Sequence, residues 1–482
     1  MANANAISNQ LLTGERESFV TCRNSQGGVV RATAVRLTRF TAVFEVYNPY
    51  SILQLSEVLS EFRIIIADRC VYAGRAVVSN LVNTGIMVLC EATLDESWLD
   101  VDVFSPITQP DRLRQEFENF ISEWRKTRAV TPEFKVAVAD FQTLLMDLRG
   151  FLDQVELGVR SEPMGTRADM ERTVLRELEG QILPEVDGWL GRFDVAAGLV
   201  EDDVRPAHRA YARRQLHPLV MCSPFVYRTF HKPLGYAGDY EVVNMILRDP
   251  HEGATMFAKM VNVFFLLGPP AIAHRNRIQL MKQRLVDETR RVAAAGRRIK
   301  ILNLGCGPAR EVEEFMMEEA LSDGADFHLL DFNPQTLEYT RNVLTQARVK
   351  FGRNTNLVFE EKSINQLLKE AIRPETVVQK GAYDLVYCAG LFDYVSDRVC
   401  KRLSDLFFEY LAPGGLMLLT NVHAGRPFRQ LMDFVLEWHL NYRDAEQMKY
   451  LLPPSKVPLE FEVRADSTGV NVFLEVRKQK PV

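Results

Sequence analysis

The stretch Ile301-Leu302-Asn303-Leu304-Gly305-Cys306-Gly307-Pro308-Ala309-Arg310 decides how the C-terminal third of this chain folds. Its apolar start predicts a buried strand, and Gly305-Cys306-Gly307 predicts a tight turn. Pro308 stands where a helix start accepts a missing N–H. Glycine suits such a turn because a side chain would keep a ligand away from the backbone. A dinucleotide site wants a third glycine three places after the second. That place is Arg310, whose bulk opposes close helix–strand packing and argues against NAD or FAD.

An acid in register supports a nucleoside site. Phe327 to Leu330 reads as the next strand, and Asp331 ends it, 24 residues beyond Gly307. A carboxylate there accepts hydrogen bonds from ribose hydroxyls. Between the two lies an amphipathic helix, with Val312, Phe315, Met316 and Ala320 on one face. Asn333-Pro334 opens another helix, carrying Leu337, Thr340, Arg341 and Leu344. Leu357 to Phe359 is a third strand, followed by Lys362-Ser363-Ile364. Tyr383 to Cys388 is a fourth, nearly uninterrupted as buried parallel strands are. It runs into Ala389-Gly390-Leu391-Phe392-Asp393-Tyr394, at the carboxyl edge where open α/β sheets bind ligands. Ala412 to Gly415 turns into a fifth strand, Leu416 to Thr420, and Leu459–Arg464 with Val470–Arg477 predicts a closing hairpin.

This order resembles the class I S-adenosylmethionine (SAM)-dependent methyltransferases over residues 297–482. The resemblance implies an α/β, Rossmann-like domain with a seven-stranded sheet, its last strand antiparallel, and SAM as cofactor. It implies a cofactor site of Gly305, Cys306, Gly307, Asp331, Asn333, Ser363, Ile364, Cys388, Ala389 and Gly390, with the adenine near Ser363. Two departures stand out. Ala309 occupies a place where many members have a third glycine, and no Asp-Pro-Pro-Tyr motif follows the fourth strand. The second argues against N-methylation of DNA adenine or glutamine.

The 482 residues call for two or three domains. A 47% hydrophobic and 25% charged composition is that of a globular protein, and a net charge of −5 offers no footprint for nucleic acid. The basic run Arg205 to Arg214 reads as a solvated helix face. No stretch approaches 18 apolar residues, and the first residues lack the cationic start and apolar core of a signal peptide. Seven cysteines without a CxxC pair fit reduced thiols in the cytoplasm, and no metal is implied.

Residues 1–17 read as a polar, disordered tail. Across 18–105, short segments rich in Val, Ile, Thr and Phe predict a small antiparallel β-barrel. They are Phe19–Thr21, Val29–Val35, Ala42–Val46, Phe62–Ala67, Arg75–Val78 and Ile86–Leu89. This part resembles the PilZ family, whose barrels often bind cyclic di-GMP through an arginine pair and Asp/Asn-x-Ser-x-x-Gly. Arg36-Leu37-Thr38-Arg39-Phe40-Thr41 has none of that motif's acid, serine or glycine, so a PilZ-like shape without the nucleotide is expected. Residues 106–200 read as long helices. Their apolar faces are Phe117, Phe120, Ile121 and Trp124; Phe141, Leu144, Leu145, Leu148, Phe151 and Leu152; and Leu175, Leu178, Ile182 and Leu183. Breaks are expected near Pro163-Met164-Gly165 and Pro206.

Residues 201–296 read as a helical cap before the sheet. Within them His231 to Ile246, HKPLGYAGDYEVVNMI, concentrates glycines, tyrosines, an acid and a His-Lys pair. One reading folds it over a polar ligand. The other makes Asp239 the cap of a helix beginning at Tyr240. The apolar helix of Met256 to Leu267 reads as core or as the wall of an acyl pocket. The arrangement from Tyr211 to Arg477 resembles bacterial proteins of 3-hydroxypalmitic acid methyl ester biosynthesis, linked to quorum sensing. That resemblance implies methyl transfer from SAM to a fatty-acid carboxylate, a small-molecule and acyl partner. On this reading Tyr236, Tyr240 and His423 orient or activate the acceptor, while Lys232, Asp239, Arg310 and Tyr394 bind it. Residues 235–240 are expected to lie over the cofactor pocket. Two alternatives stand: a regulatory protein that uses the fold as a SAM sensor or scaffold, and a protein-carboxylate methyltransferase. In either, barrel and helices would serve as a homodimer or partner surface.

Overall fold

The computed structural model describes residues 18–38, 40–46, 53–66, 69–83, 87–95, 130–372, 380–425, 428–455 and 458–479, with Arg114, Glu118, Ile121 and Ser122. The strands are β1 Ser18–Arg23, β2 Val29–Leu37, β3 Thr41–Val46, β4 Val58–Ile66, β5 Arg69–Asn83, β6 Val88–Leu94, β7 Ile299–Leu304, β8 Ala325–Asp331, β9 Asn356–Glu361, β10 Tyr383–Cys388, β11 Leu411–Val422, β12 Glu460–Ala465 and β13 Asn471–Arg477. The helices are α1 Pro132–Ser161, α2 Met164–Gly198, α3 Arg205–Val220, α4 Pro224–His231, α5 Tyr240–Leu247, α6 Met256–Leu267, α7 Pro269–Ala293, α8 Arg310–Glu318, α9 Pro334–Lys350, α10 Ile364–Ile372, α11 Asp397–Tyr410, α12 Arg429–Phe434 and α13 Ala445–Tyr450. They form two compact units, neither continuous in sequence. One holds residues 1–237, 250–265 and 428–439, and the other holds 238–249, 266–427 and 440–482.

In the first unit β1 to β6 close into an antiparallel barrel in the order β1-β2-β3-β6-β5-β4. Alternation in β2 turns Val30, Ala32 and Ala34 inward, where Phe44, Leu59, Phe62 and Ile64 fill the lumen. All six expected strand segments are present. β5 is much longer than Arg75–Val78 implied, and register shifts against β4 and β6 let it bend around the barrel. Ala67, Ile86 and Arg39 of the expected segments lie outside the described residues. Glu57 is buried at the rim, where its carboxylate accepts the Ser25 N–H and O–H and the Gln54 N–H.

The helices of this unit break where proline said they would: α1 ends at Ser161, and Pro163 is the cap residue of α2. Phe134, Phe193 and Phe434 pack ring on ring, with centroids 5.6 to 6.2 Å apart. Phe141, Leu145 and Leu152 are buried as expected, whereas Phe151 is 50% exposed because it lies just off that stripe. Phe117, Phe120 and Trp124 lie outside the described residues. The apolar face of α6 lines a cleft with Phe141, Leu145, Leu216, Met260 and Phe264 on its walls.

The basic run on α3 corrects its reading. Only Arg214 among its arginines is exposed. Arg209 meets Asp433 at 2.7 Å, and Arg205 meets the same carboxylate at 3.5 Å. Arg213 pairs with Glu437, which Arg75 of β5 also reaches at 3.2 Å. His439 hydrogen-bonds Asp433, and Ser56 Oγ donates to the His439 carbonyl at 2.9 Å. The acids arrive on residues 428–439, a segment far away in sequence, so nothing near the arginines announced them.

The second unit is a seven-stranded sheet in the order β12-β13-β11-β10-β7-β8-β9. β13 is antiparallel to both β11 and β12, and the β11-β10-β7-β8-β9 pairings are parallel. Every strand read from the C-terminal sequence is present. The core of Ile299, Ile301, Phe315, Phe327, Leu329, Leu385 and Leu418 places the two central strands, β7 and β10, between helices. Among the described residues no single helix is long and apolar enough to cross a membrane, and none of the cysteines is in a disulfide.

Candidate active site

The carboxyl ends of β7, β8 and β10 build the site. After Leu304 the chain turns at Gly305 and Gly307, with φ of +66° and +53°. A Cβ at Gly305 would make ordinary contact with Leu391, and one at Gly307 would meet nothing within 4 Å. Left-handed backbone, rather than crowding within the protein, therefore requires glycine here. The helix starts at Arg310, two residues later than Pro308 implied, and Ala309 takes the left-handed conformation at φ +48° before it. A glycine would adopt that conformation without strain.

Asp331 closes the turn. Its Oδ2 accepts the Gly307 N–H at 3.1 Å and its Oδ1 accepts the Asn333 N–H at 3.0 Å. The Leu330 carbonyl takes the N–H groups of Gly305 and Cys306, and Lys362 N donates to the Asp331 carbonyl at 2.9 Å. Asn333 then caps α9 through Thr336 N, and Thr340 Oγ1 donates to the Gly307 carbonyl at 2.6 Å. Asp331 is 6% exposed and has no cationic partner among the described residues, so burial pushes its pKa up to about 6. A buried carboxylate with spare lone pairs and no counter-ion fits a ligand that brings hydroxyl donors, such as a ribose.

Ser363 and Ile364 begin α10 just beyond β9. The Ser363 side chain accepts Gln366 N, and Ile364 is 5% exposed. Cys388 and Cys306 are buried thiols whose pKa values are raised by desolvation, so neither is a nucleophile. Ala389 and Gly390 are half-buried at the end of β10, and Gly390 N donates to Thr420 Oγ1 at 3.1 Å. Ten residues implied by the methyltransferase resemblance thus fall on four adjacent strand ends, those of β10, β7, β8 and β9, and the loops that leave them.

The remaining candidates are scattered. Arg310 is held by Glu313 and Glu314 of its own helix. Lys232, in the first unit, is 2% exposed and donates to the carbonyls of Phe230 and Leu436, with its pKa lowered to about 7 by burial. Gly235, at φ +85°, accepts Val58 N–H and packs on Ser25 of the barrel, while Tyr236 is half-buried in that unit. In the second unit Asp239 caps α5 through Glu241 N and Val242 N, and Tyr240 stacks on Tyr339 with centroids 4.6 Å apart. Tyr394 ends the 3₁₀ turn after β10. His423 follows β11, where its Nδ1 accepts the Gly425 N–H at 3.0 Å.

Sequence reasoning missed several groups in this unit. Tyr387 Oη donates to Glu311 at 2.8 Å beneath the glycine turn, and Asn303 donates to Tyr387 at 2.9 Å. Two polar residues inside otherwise apolar strands were the available signal. Arg443, its side chain 3% exposed, ties the ends of β10 and β11 together through the carbonyls of Phe392 and Val395, Asn421 Oδ1 and Asp397. Asp393 Oδ1 accepts Val422 N at 2.7 Å beside it. No local pattern marks Arg443.

Residues 296–449 match the family model described as a methyltransferase domain. The glycine turn and Asp331 lie inside that match, and this part of the chain is a methyltransferase domain. Among solved structures the chain is similar to a possible exported protein from Bordetella parapertussis, with 16% identity over 53% of this chain and 86% of that one, at a TM-score of 0.41. It is similar to magnesium protoporphyrin IX methyltransferase from Synechocystis with bound SAH, with 13% identity over 53% and 99%, TM-score 0.34. It is also similar to an N-methyltransferase from Bradyrhizobium japonicum in complex with S-adenosylhomocysteine, with 12% identity over 50% and 97%, TM-score 0.29. These similarities are too low to carry functional meaning. A search of curated proteins finds no match to the chain.

Proposed function

We propose that the protein O-methylates a small-molecule carboxylate, of which a 3-hydroxy fatty acid is the leading example, to give a methyl ester. The observation that supports this reading is that His423 Nδ1 is occupied by the Gly425 N–H, so it is not offered to an acceptor hydroxyl. A carboxylate needs no base, because with a pKa of roughly 4 it arrives ionised at neutral pH.

Bound SAM supplies an electrophilic methyl group on a sulfonium. Asp331 would hold the ribose, and Gly305 to Gly307 would leave the backbone open to the methionyl part. Ser363 and Ile364 would flank the adenine. The methyl group would pass to the acceptor oxygen, with the carbon–sulfur electron pair left on S-adenosylhomocysteine. What the protein contributes is placement at about 3 Å and exclusion of water. Tyr240 and Tyr394 are proposed to orient the acceptor. Lys232 and Arg310 are less suited to neutralise it, because their hydrogen bonds are already committed. The barrel is proposed as a PilZ-like module that docks a partner or a second copy rather than a nucleotide.

Incubating the full chain with SAM and 3-hydroxypalmitate tests this reading by mass spectrometry. The expected product is the acid gaining one methyl group with one S-adenosylhomocysteine formed per ester. A protein that binds S-adenosylhomocysteine yet methylates no fatty acid sinks the acceptor assignment.

A further inference from the structure

Arg277 lies on α7, the helix that leads into β7, and its guanidinium sits against the end of β10. A Cβ added at Gly390 would stand 3.1 Å from Nη1 and 3.2 Å from Nη2, so glycine at 390 makes room for this cation. Nη2 donates to Nδ1 of His274, one turn earlier, at 2.9 Å. A guanidinium only donates, so His274 must present an unprotonated nitrogen. Burial, with Arg277 and Arg275 nearby, also holds that imidazole's pKa well below its ordinary value. His274 is therefore neutral and brings no counter-charge.

Arg277 has no ion pair among the described residues. The acids whose fields it feels are Asp393, Glu311 and the phenol of Tyr394. Asp393 faces Val422 N, and Glu311 is engaged by Tyr387 and Asn303. A desolvated cation whose side-chain partner is neutral is costly unless an anion completes it. The sheet order says which anion comes near. β8, β7 and β10 are neighbours, so the ends carrying Asp331 and Gly390 are two strand spacings apart, about 10 Å. A nucleoside held by its ribose at Asp331 extends past the Gly305 turn toward β10. The groups arriving there are the α-carboxylate of the methionyl tail and the acceptor.

We propose that Arg277, oriented by His274, binds a carboxylate at the β10 end of the methyl-transfer site. This rests on the cofactor reading and deepens it by naming the anion's receptor. Two sources share that chemistry, the cofactor's own carboxylate and the acceptor's, and the experiment separates them.

The test is calorimetry on the full chain, wild type, Arg277→Gln and Arg277→Lys. The titrants are S-adenosylhomocysteine, 5′-methylthioadenosine, which lacks the amino-acid part, and 3-hydroxydecanoate added to protein saturated with S-adenosylhomocysteine. Arg277→Gln is expected to weaken one carboxylate ligand roughly tenfold or more. Arg277→Lys should recover part of that loss, and 5′-methylthioadenosine should bind all three alike. Loss confined to S-adenosylhomocysteine assigns the carboxylate to the cofactor. Loss confined to 3-hydroxydecanoate assigns it to the acceptor. Unchanged affinity for both overturns the proposal, and so does an equal loss for 5′-methylthioadenosine, which marks a distorted site. A wild type that binds no fatty acid fails the acceptor reading alone, and Arg277 is then judged on the other two ligands.

Discussion

Asp331 accepts the backbone N–H of Gly307 at 3.1 Å, so the last residue of β8 holds the glycine turn that follows β7. One carboxylate thereby shapes the turn and, on the proposed reading, receives the ribose. Burial raises its pKa to about 6. Ionised Asp331 would accept ribose hydroxyls on both oxygens, and the protonated form would lose an acceptor.

Affinity for S-adenosylhomocysteine should therefore rise as pH goes from 5 to 7, with its midpoint at about 6. Stability of the ligand-free protein runs the other way. A raised carboxyl pKa means the folded state holds the proton between 3.8 and about 6, so this group's contribution falls as pH climbs through that window. Asp331→Ala should cost about 1.5–3 kcal/mol of binding and abolish the midpoint. Calorimetry across pH checks both, and a variant with wild-type affinity refutes the site.

Glu437, 1% exposed and shared by Arg213 and Arg75, is expected to be a major support of the first unit. Arg213→Met should destabilise it by about 3–5 kcal/mol, because a buried charge loses its partner. The guanidinium groups hold the Glu437 carboxyl down to about 2 against an ordinary 4.5. Its contribution is thus complete above 4.5 and lost as pH falls through about 2. Urea unfolding followed from pH 6 to pH 2 should show that loss in the wild type and a shallower one in Glu437→Gln.

Cyclic di-GMP should not bind. Arg36 is the one described arginine of the stretch that stands where PilZ proteins have their second motif, and it is exposed on β2. Alone it provides only salt-screened attraction. Tight binding at 0.3 M salt, measured on the full chain, would show that the barrel reads the nucleotide by another route.

Tyr240→Phe and Tyr394→Phe should lower turnover more than they lower affinity for S-adenosylhomocysteine. If the acceptor is a carboxylate, the wild-type rate should also show no histidine-like rise between pH 6 and 8. Full activity in both variants would remove Tyr240 and Tyr394 from acceptor binding.

The strands, the turns and the cofactor edge were legible because each depends on short-range pattern. Alternation in β2, the apolar run of β10, positive-φ glycine at 305 and 307, and an acid one helix and one strand later are local facts. Parallel order then follows from connection rules, so the ends of β7, β8 and β10 had to meet. The His231–Ile246 motif was half legible. Asp239 as a helix cap is local chemistry, whereas Gly235 meets Ser25 and Val58, more than 170 residues earlier.

What the sequence by itself determined is therefore the sheet, the barrel and the nucleoside edge. Tertiary structure alone decided that α3's arginines are buried, since their acids stand 224 positions away on a segment that follows β11. It alone put Arg277 against Gly390 and Arg443 across the ends of β10 and β11. Periodicity reports which face of an element avoids water, because burial is averaged along the chain. It is silent about which charges meet, because a single ion pair leaves no repeat in either of the segments that form it.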